Sequence, residues 1–139
     1  MSAPLVRVSF PSQTRLLGLV RGVVTELALQ AGLEREPAEQ VALAAEEAAT
    51  NVIEHAYAGV SDGPVELRVD ISPGELVIEL LDRGREVDPR AVPRVDLERY
   101  QRERRRGGLG LHLMGRIMDG VAFSRREGCN VCRLTRRLP

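Results

Sequence analysis

The sequence has no lysine and no tryptophan, and aromatics make up only 3% of it. Every one of its 20 basic residues is therefore arginine, balanced by 20 acidic residues to a formal net charge of zero. Neutral charge and so few aromatic rings argue against a general nucleic-acid binder, which would need a basic surface and stacking platforms. The uniform use of arginine reads as genomic base composition. No stretch approaches the length of a membrane span, so no membrane partner is expected. Residues 1–12 lack the cationic start, apolar run and small-residue cleavage site of a secretory signal. A cytoplasmic location is the expectation. The two cysteines, Cys129 and Cys132, form a lone C-x-x-C with no further ligands in matching context, and they read as structural thiols of a reducing compartment.

At 139 residues, with 43% hydrophobic and 29% charged residues, the chain fits one domain with a true core, spanning 1–139. Leu5–Phe10 alternates as an edge-compatible strand ending at Pro11, and Ser12 is placed to cap the helix that follows. Apolar residues at helical spacing predict that helix from Gln13 to about Gln30, stopped by Gly32. Glu36 and Pro37 open a second helix that runs on toward Gly59. Val65–Ile71 and Leu76–Leu81 flank Pro73 and Gly74 as a hairpin, and Val121–Ser124 with Val131–Thr135 make another around Glu127 and Gly128. Between them, Asp82–Gly108 is irregular and charged, and helical spacing resumes over Leu109–Asp119. The order predicts a two-layer α/β sandwich: a mixed, mostly antiparallel sheet covered on one face by three helices, with a long loop at one end.

Three short stretches carry polar groups that a core would not otherwise hold. In AEEAATNVIEHAY, Ala45–Tyr57, Glu47 and Asn51 stand four residues apart and share a helix face. Asn51 offers a single oxygen to a magnesium ion, and Glu47 a base for a hydroxyl proton. Glu46, five positions from Asn51, points off that face. Taken alone, the pair also fits an arginine ion pair and a backbone hydrogen bond. In LLDRGREVDP, Leu80–Pro89, a strand runs into Asp82 and then Gly84. A carboxylate there can accept from the exocyclic amine of a base, and a glycine lets a flat ring approach the backbone. In RRRGGLGL, Arg104–Leu111, glycines before a helix suit a polyphosphate, with neighbouring arginines to close over it. The absence of Gly-Lys-Ser/Thr excludes a Walker A loop, and the absence of a preceding strand excludes a Rossmann fingerprint.

In this order and spacing, the three stretches resemble the boxes of the GHKL (Bergerat-fold) ATP-binding family. Over nearly the whole chain, the match is to its small anti-sigma factor serine/threonine kinases of the RsbW and SpoIIAB type. EEAATNVIEHAY resembles the first box, LLDRGREVDP the second and RGGLGLHLMGRIMD the third. The resemblance implies ATP and Mg2+ as cofactors, with Asn51 on the metal and Glu47 as general base. It implies Asp82 on adenine, Gly84 shaping the base pocket, and Thr50 and His55 supporting the first box. Arg106, Gly107, Gly108, Leu109, Gly110 and Leu111 would lie along the phosphates, and residues 86–106 would form an ATP lid. The pattern departs from the family's D-x-G-x-G at Glu86. The implied partners are a sigma factor and a STAS-type anti-sigma factor antagonist that the enzyme phosphorylates. A homodimer is also expected, with the exposed faces of the first strand and first helix as candidate surfaces. A different reading keeps the fold and drops the chemistry: a non-catalytic GHKL nucleotide-binding module that regulates a protein partner stoichiometrically.

Overall fold

A computed structural model describes residues 4–86 and 114–139. The chain opens with β1, Val6–Pro11, then a 3-10 turn, Thr14–Leu16, that leads into α1, Leu17–Gln30. Helix α2, Arg35–Asn51, continues into a π-helical turn, Val52–Ala56. The hairpin β2 (Pro64–Ser72) and β3 (Glu75–Asp82) follows, and β4 (Gly120–Arg126) and β5 (Cys129–Arg137) close the chain. The sheet order is β1-β2-β3-β5-β4, and all four pairings are antiparallel. Of the expected third helix, residues 109–113 lie outside the described residues, while 114–117 are helical and bury Met114. The lid segment lies outside them too, apart from Glu86.

Strand alternation decides which face is buried. Phe10, Val65, Leu67, Val69, Leu76, Ile78, Leu80, Cys132 and Leu134 point inward and pack on Val20, Val24, Val41, Ala45 and Ala49 of the helices. The opposite face carries charge: Glu79 on β3 pairs with Arg126 on β4 at 3.5 Å and Arg133 on β5 at 3.3 Å. Cys129 and Cys132, an odd number of residues apart on β5, fall on opposite faces. Among the described residues there is no disulfide and no cluster of His, Cys, Asp and Glu able to hold a metal. No helix among them is long and apolar enough to cross a membrane.

The turns sit where their residues demand. Gly32 adopts φ +106° after α1, and the Leu33 N–H reaches back to the Ala28 carbonyl at 3.1 Å, closing the helix with a left-handed cap. Gly74 and the pair Glu127–Gly128 hold positive φ in the two hairpin turns. Ser12 corrects the expected cap. Its hydroxyl donates to the Val60 carbonyl at 2.5 Å and accepts from the Gly63 N–H at 3.0 Å, 48 and 51 residues away. The residue before the 3-10 turn is Gln13, which makes no side-chain cap. A hydroxyl spent on a loop that crosses the end of β1 is unavailable to a helix.

Candidate functional site

Alanine sets the site's first half. Ala42, Ala44, Ala45, Ala48 and Ala49 give α2 a high helix propensity and a slim profile, so neighbours approach it from all sides. From Ala44 to Ile53 every residue is buried, including four polar ones: Glu46, Glu47, Thr50 and Asn51. Burying carboxylates and amides is expensive unless each has a compensating partner.

Glu46 and Thr50 bond to the helices around them. The Glu46 carboxylate accepts from Arg21 Nε of α1 at 2.5 Å, a bond that ties α2 to α1. The Thr50 hydroxyl donates to the Glu46 carbonyl at 2.9 Å, one turn back along its own helix. Glu46 thus makes an arginine ion pair between the two helices. Glu47 and Asn51, 2% and 7% exposed, stand one residue further along the helix than Glu46 and Thr50. Glu47 Oε2 and Asn51 Nδ2 are both fully buried, and the Asn51 nitrogen has no hydrogen-bond partner among the described residues. Leaving a buried amide end unmatched costs about 1–3 kcal/mol. That N–H end is free to donate to an anionic oxygen, and the oxygen at the other end of the same amide is the hard donor type that a magnesium ion takes, one or two protein oxygens beside its waters.

The second half is the turn after β3. Asp82, 4% exposed, accepts on Oδ1 from the Gly84 N–H at 2.9 Å, an Asx turn that bends the chain off the sheet. Burial pushes its carboxyl above the usual carboxylate range. The Asn130 hydrogen bond, the Gly84 N–H and the Arg125 charge oppose that rise. This turn is fastened to the end of α2: the Arg85 N–H donates to the Ala56 carbonyl at 3.0 Å and Arg85 Nε to the His55 carbonyl at 2.9 Å. The Tyr57 hydroxyl accepts from the Arg83 N–H at 2.8 Å and donates to the Pro64 carbonyl at 2.5 Å. Asp82 is thereby set beside the π-helical turn that begins directly after Asn51. That turn is closed by the Tyr57 N–H on the Val52 carbonyl at 3.0 Å, and such widened turns recur at functional sites.

Gly84 is required here by packing. A Cβ on it would stand 2.5 Å from the Ala56 carbonyl oxygen and 2.6 Å from its carbon. The structure also brings in a residue the motifs did not suggest. Asn130, directly opposite Asp82 in the β3–β5 register, donates from Nδ2 to Asp82 Oδ1 at 2.8 Å, to the Gly84 carbonyl at 3.1 Å and to the Arg85 carbonyl at 3.0 Å. Its only sequence signal is an amide beside the apolar run of the strand CNVCRLTRR. His55 contributes its carbonyl to the turn, as described, and Thr50 its hydroxyl to the helix. Arg106, Gly107, Gly108, Leu109, Gly110 and Leu111 lie outside the described residues.

An antiparallel sheet backed by helices, with buried polar groups gathered where α2 meets the end of β3, is the architecture of an ATPase-type α/β sandwich. The chain belongs to the histidine kinase-like ATPase domain family, which it matches over residues 10–136. It is 31% identical over 134 residues to the serine-protein kinase RsbW of Bacillus pumilus, covering 91% of this chain and 82% of that protein. It is 28% identical over 135 residues to RsbW of Bacillus subtilis, covering 94% and 84%. Those relatives place it among the protein serine/threonine kinases of this ATP-binding family. Solved structures share the fold. The RsbU and RsbW domains of a Mycobacterium tuberculosis protein superpose with a TM-score of 0.62 at 18% identity, over 98% of this chain and 33% of that one. The SiaB–SiaC complex of Pseudomonas aeruginosa gives 0.59 at 14% identity, over 97% and 91%.

Proposed function

We propose that this kinase is an anti-sigma factor in a partner switch: it holds a sigma factor and uses ATP to phosphorylate a serine or threonine of a STAS-type antagonist. The observation that carries the chemistry is the buried pair Glu47 and Asn51 on α2, with Asn51 presenting an amide N–H donor that no described residue accepts and that a phosphate oxygen would.

Asn51 would hold Mg2+ through its side-chain oxygen, and the ion supplies charge neutralisation on the phosphates when bound. Glu47 accepts the proton of the antagonist's hydroxyl as that oxygen bonds to the γ-phosphorus. The bond from the γ-phosphorus to the bridging oxygen of ADP breaks, and ADP leaves. Asp82 accepts from the exocyclic amine of adenine, and the turn it starts supports the base. Arg106 to Leu111 lie along the phosphates in this reading. The edge strand β1, preceded by the exposed Leu5, and the exposed Leu19 of α1 are the surfaces proposed for a homodimer.

The test uses the purified chain with Mg2+ and ATP, first alone and then with a sigma factor and STAS-type protein encoded beside it. The proposal expects binding heat with ATP, transfer of labelled phosphate to the STAS-type protein, and co-purification with the sigma factor in ATP. Binding heat without transfer would replace it with the stoichiometric module, and no binding heat would remove both.

A further inference from the structure

Asp82 is useful to a base only in one protonation state. Adenine presents an amine where guanine presents a carbonyl oxygen, so an ionised carboxylate accepts from the first and repels the second. A protonated carboxyl can donate to that carbonyl and loses the distinction. Anything that holds Asp82 as an acceptor therefore selects between nucleotides.

The surroundings of Asp82 work in both directions. Its 4% exposure favours the neutral acid. Against this stand the Gly84 N–H, the Asn130 amide and the charge of Arg125. The Tyr57 phenol and the Cys129 thiol are the other titratable groups electrostatically linked to this corner, and Arg83 is its further charge. Arg85 is directed away, to the His55 carbonyl. Two of the opposing groups depend on one residue. Asn130 donates to Asp82 Oδ1, and its own Oδ1 accepts from Arg125 Nη1 at 2.6 Å, which fixes that charge beside the pair. The amide cannot turn over, because the same Nδ2 also serves the carbonyls of Gly84 and Arg85. Both hydrogen bonds to Asp82 land on Oδ1, and among the described residues Oδ2 accepts none.

We propose that Asn130 is the positioning residue that keeps Asp82 an acceptor, and through it sets the choice of adenine over guanine nucleotides. This rests on the reading that Asp82 meets the base. Asn130 itself does not touch nucleotide: it points its donor at the inner oxygen, leaves the outer one for the ligand, and holds Arg125 in range.

The experiment measures ATP and GTP affinity by calorimetry, from about pH 4.5 to 9, for the wild type, Asn130→Ala, Asn130→Asp and Asp82→Asn, with thermal melts to confirm folding. Asn130→Asp keeps the shape and replaces the donor by a second carboxyl. For Asn130→Ala the expected result is an ATP-to-GTP preference reduced about tenfold at the acid end and recovering toward the wild-type value at the alkaline end. Asn130→Asp should lose more than Asn130→Ala, despite its better fit. A preference equal to wild type at every pH in both variants would overturn the proposal. So would an equal weakening of ATP and GTP with no pH dependence, which is what loosened packing alone produces. Asp82→Asn distinguishes the role of Asp82 from that of Asn130. If it abolishes the preference while both Asn130 variants leave it intact, Asp82 meets the base and Asn130 has no part in selection. If it binds both nucleotides as the wild type does, the underlying reading of Asp82 fails and this inference falls with it.

Discussion

Replacing Gly84 by alanine puts a methyl group where the backbone of Ala56 already stands. The new Cβ would lie 2.5 Å from the Ala56 carbonyl oxygen, 2.6 Å from its carbon and 2.9 Å from its Cβ. Ordinary carbon contacts begin near ~3.5 Å, so the turn has to move by about 1 Å. Two of these three neighbours are main-chain atoms, and no side-chain rotation relieves them. Displacement of that size stretches the Arg85 N–H to Ala56 carbonyl bond, now 3.0 Å, beyond useful length. Overpacking costs roughly 1–3 kcal/mol and the lost bond about 1 kcal/mol more. For a domain of this size, that is a fall in Tm of roughly 10 °C. Nucleotide affinity should drop with it, because the strand end that carries Asp82 shifts away from α2. Calorimetric melting and ADP titration of Gly84→Ala would check both effects. A Tm within about 2 °C of wild type, with unchanged ADP affinity, would refute the close-packing account of this glycine.

The Asp82 carboxyl is raised mainly by burial, so between the ordinary value of 3.8 and its folded-state value the native chain binds the proton more tightly than the unfolded chain. Stability contributed by this group is therefore full below 3.8 and is lost as pH rises through the folded-state value. Asp82→Asn, which keeps an acceptor oxygen and removes the charge, should raise Tm at neutral pH and show no gain in acid; a gain that grows in acid would mean that the Asp82 charge stabilises the fold. Tyr57→Phe removes the hydroxyl that joins the Arg83 N–H to the Pro64 carbonyl. Urea unfolding should show a loss of about 1 kcal/mol, and no loss would mean that water replaces both bonds.

Much of the fold is written in local pattern. Strand alternation and the turn residues at Pro73–Gly74 and Glu127–Gly128 place the strands within a residue or two of where they form, because these signals act over a few neighbours, whereas the first helix, expected from Gln13, begins at Leu17 after a 3-10 turn. The polar pair on α2 is legible for the same reason: four-residue spacing on a helix is geometry. What the pattern could not carry lies at long range. Ser12 reads as a cap because the Val60 and Gly63 backbone that claims it is 48 and 51 residues away. Val52 and Ile53 satisfy an α-helix and a π-helical turn equally, so the widening after Asn51 has no signature in apolar spacing. Asn130 looks like an indifferent polar residue in a strand until the register sets it against Asp82. Gly84 reads as room for a ring, and the structure adds a tighter reason, since only the folded chain brings Ala56 against it.

In the proposed mechanism Glu47, and not its neighbour Glu46, takes the proton during phosphotransfer. The measurement is paired: ATP binding by calorimetry and transfer of labelled phosphate from ATP to the STAS-type antagonist, on Glu47→Ala and Glu46→Ala. Glu47→Ala should bind ATP within a few-fold of wild type and lose transfer by at least about a hundredfold, as removal of a general base does. Glu46→Ala, deprived of its bond to Arg21, should be less stable and still transfer. Full transfer by Glu47→Ala would contradict this mechanism.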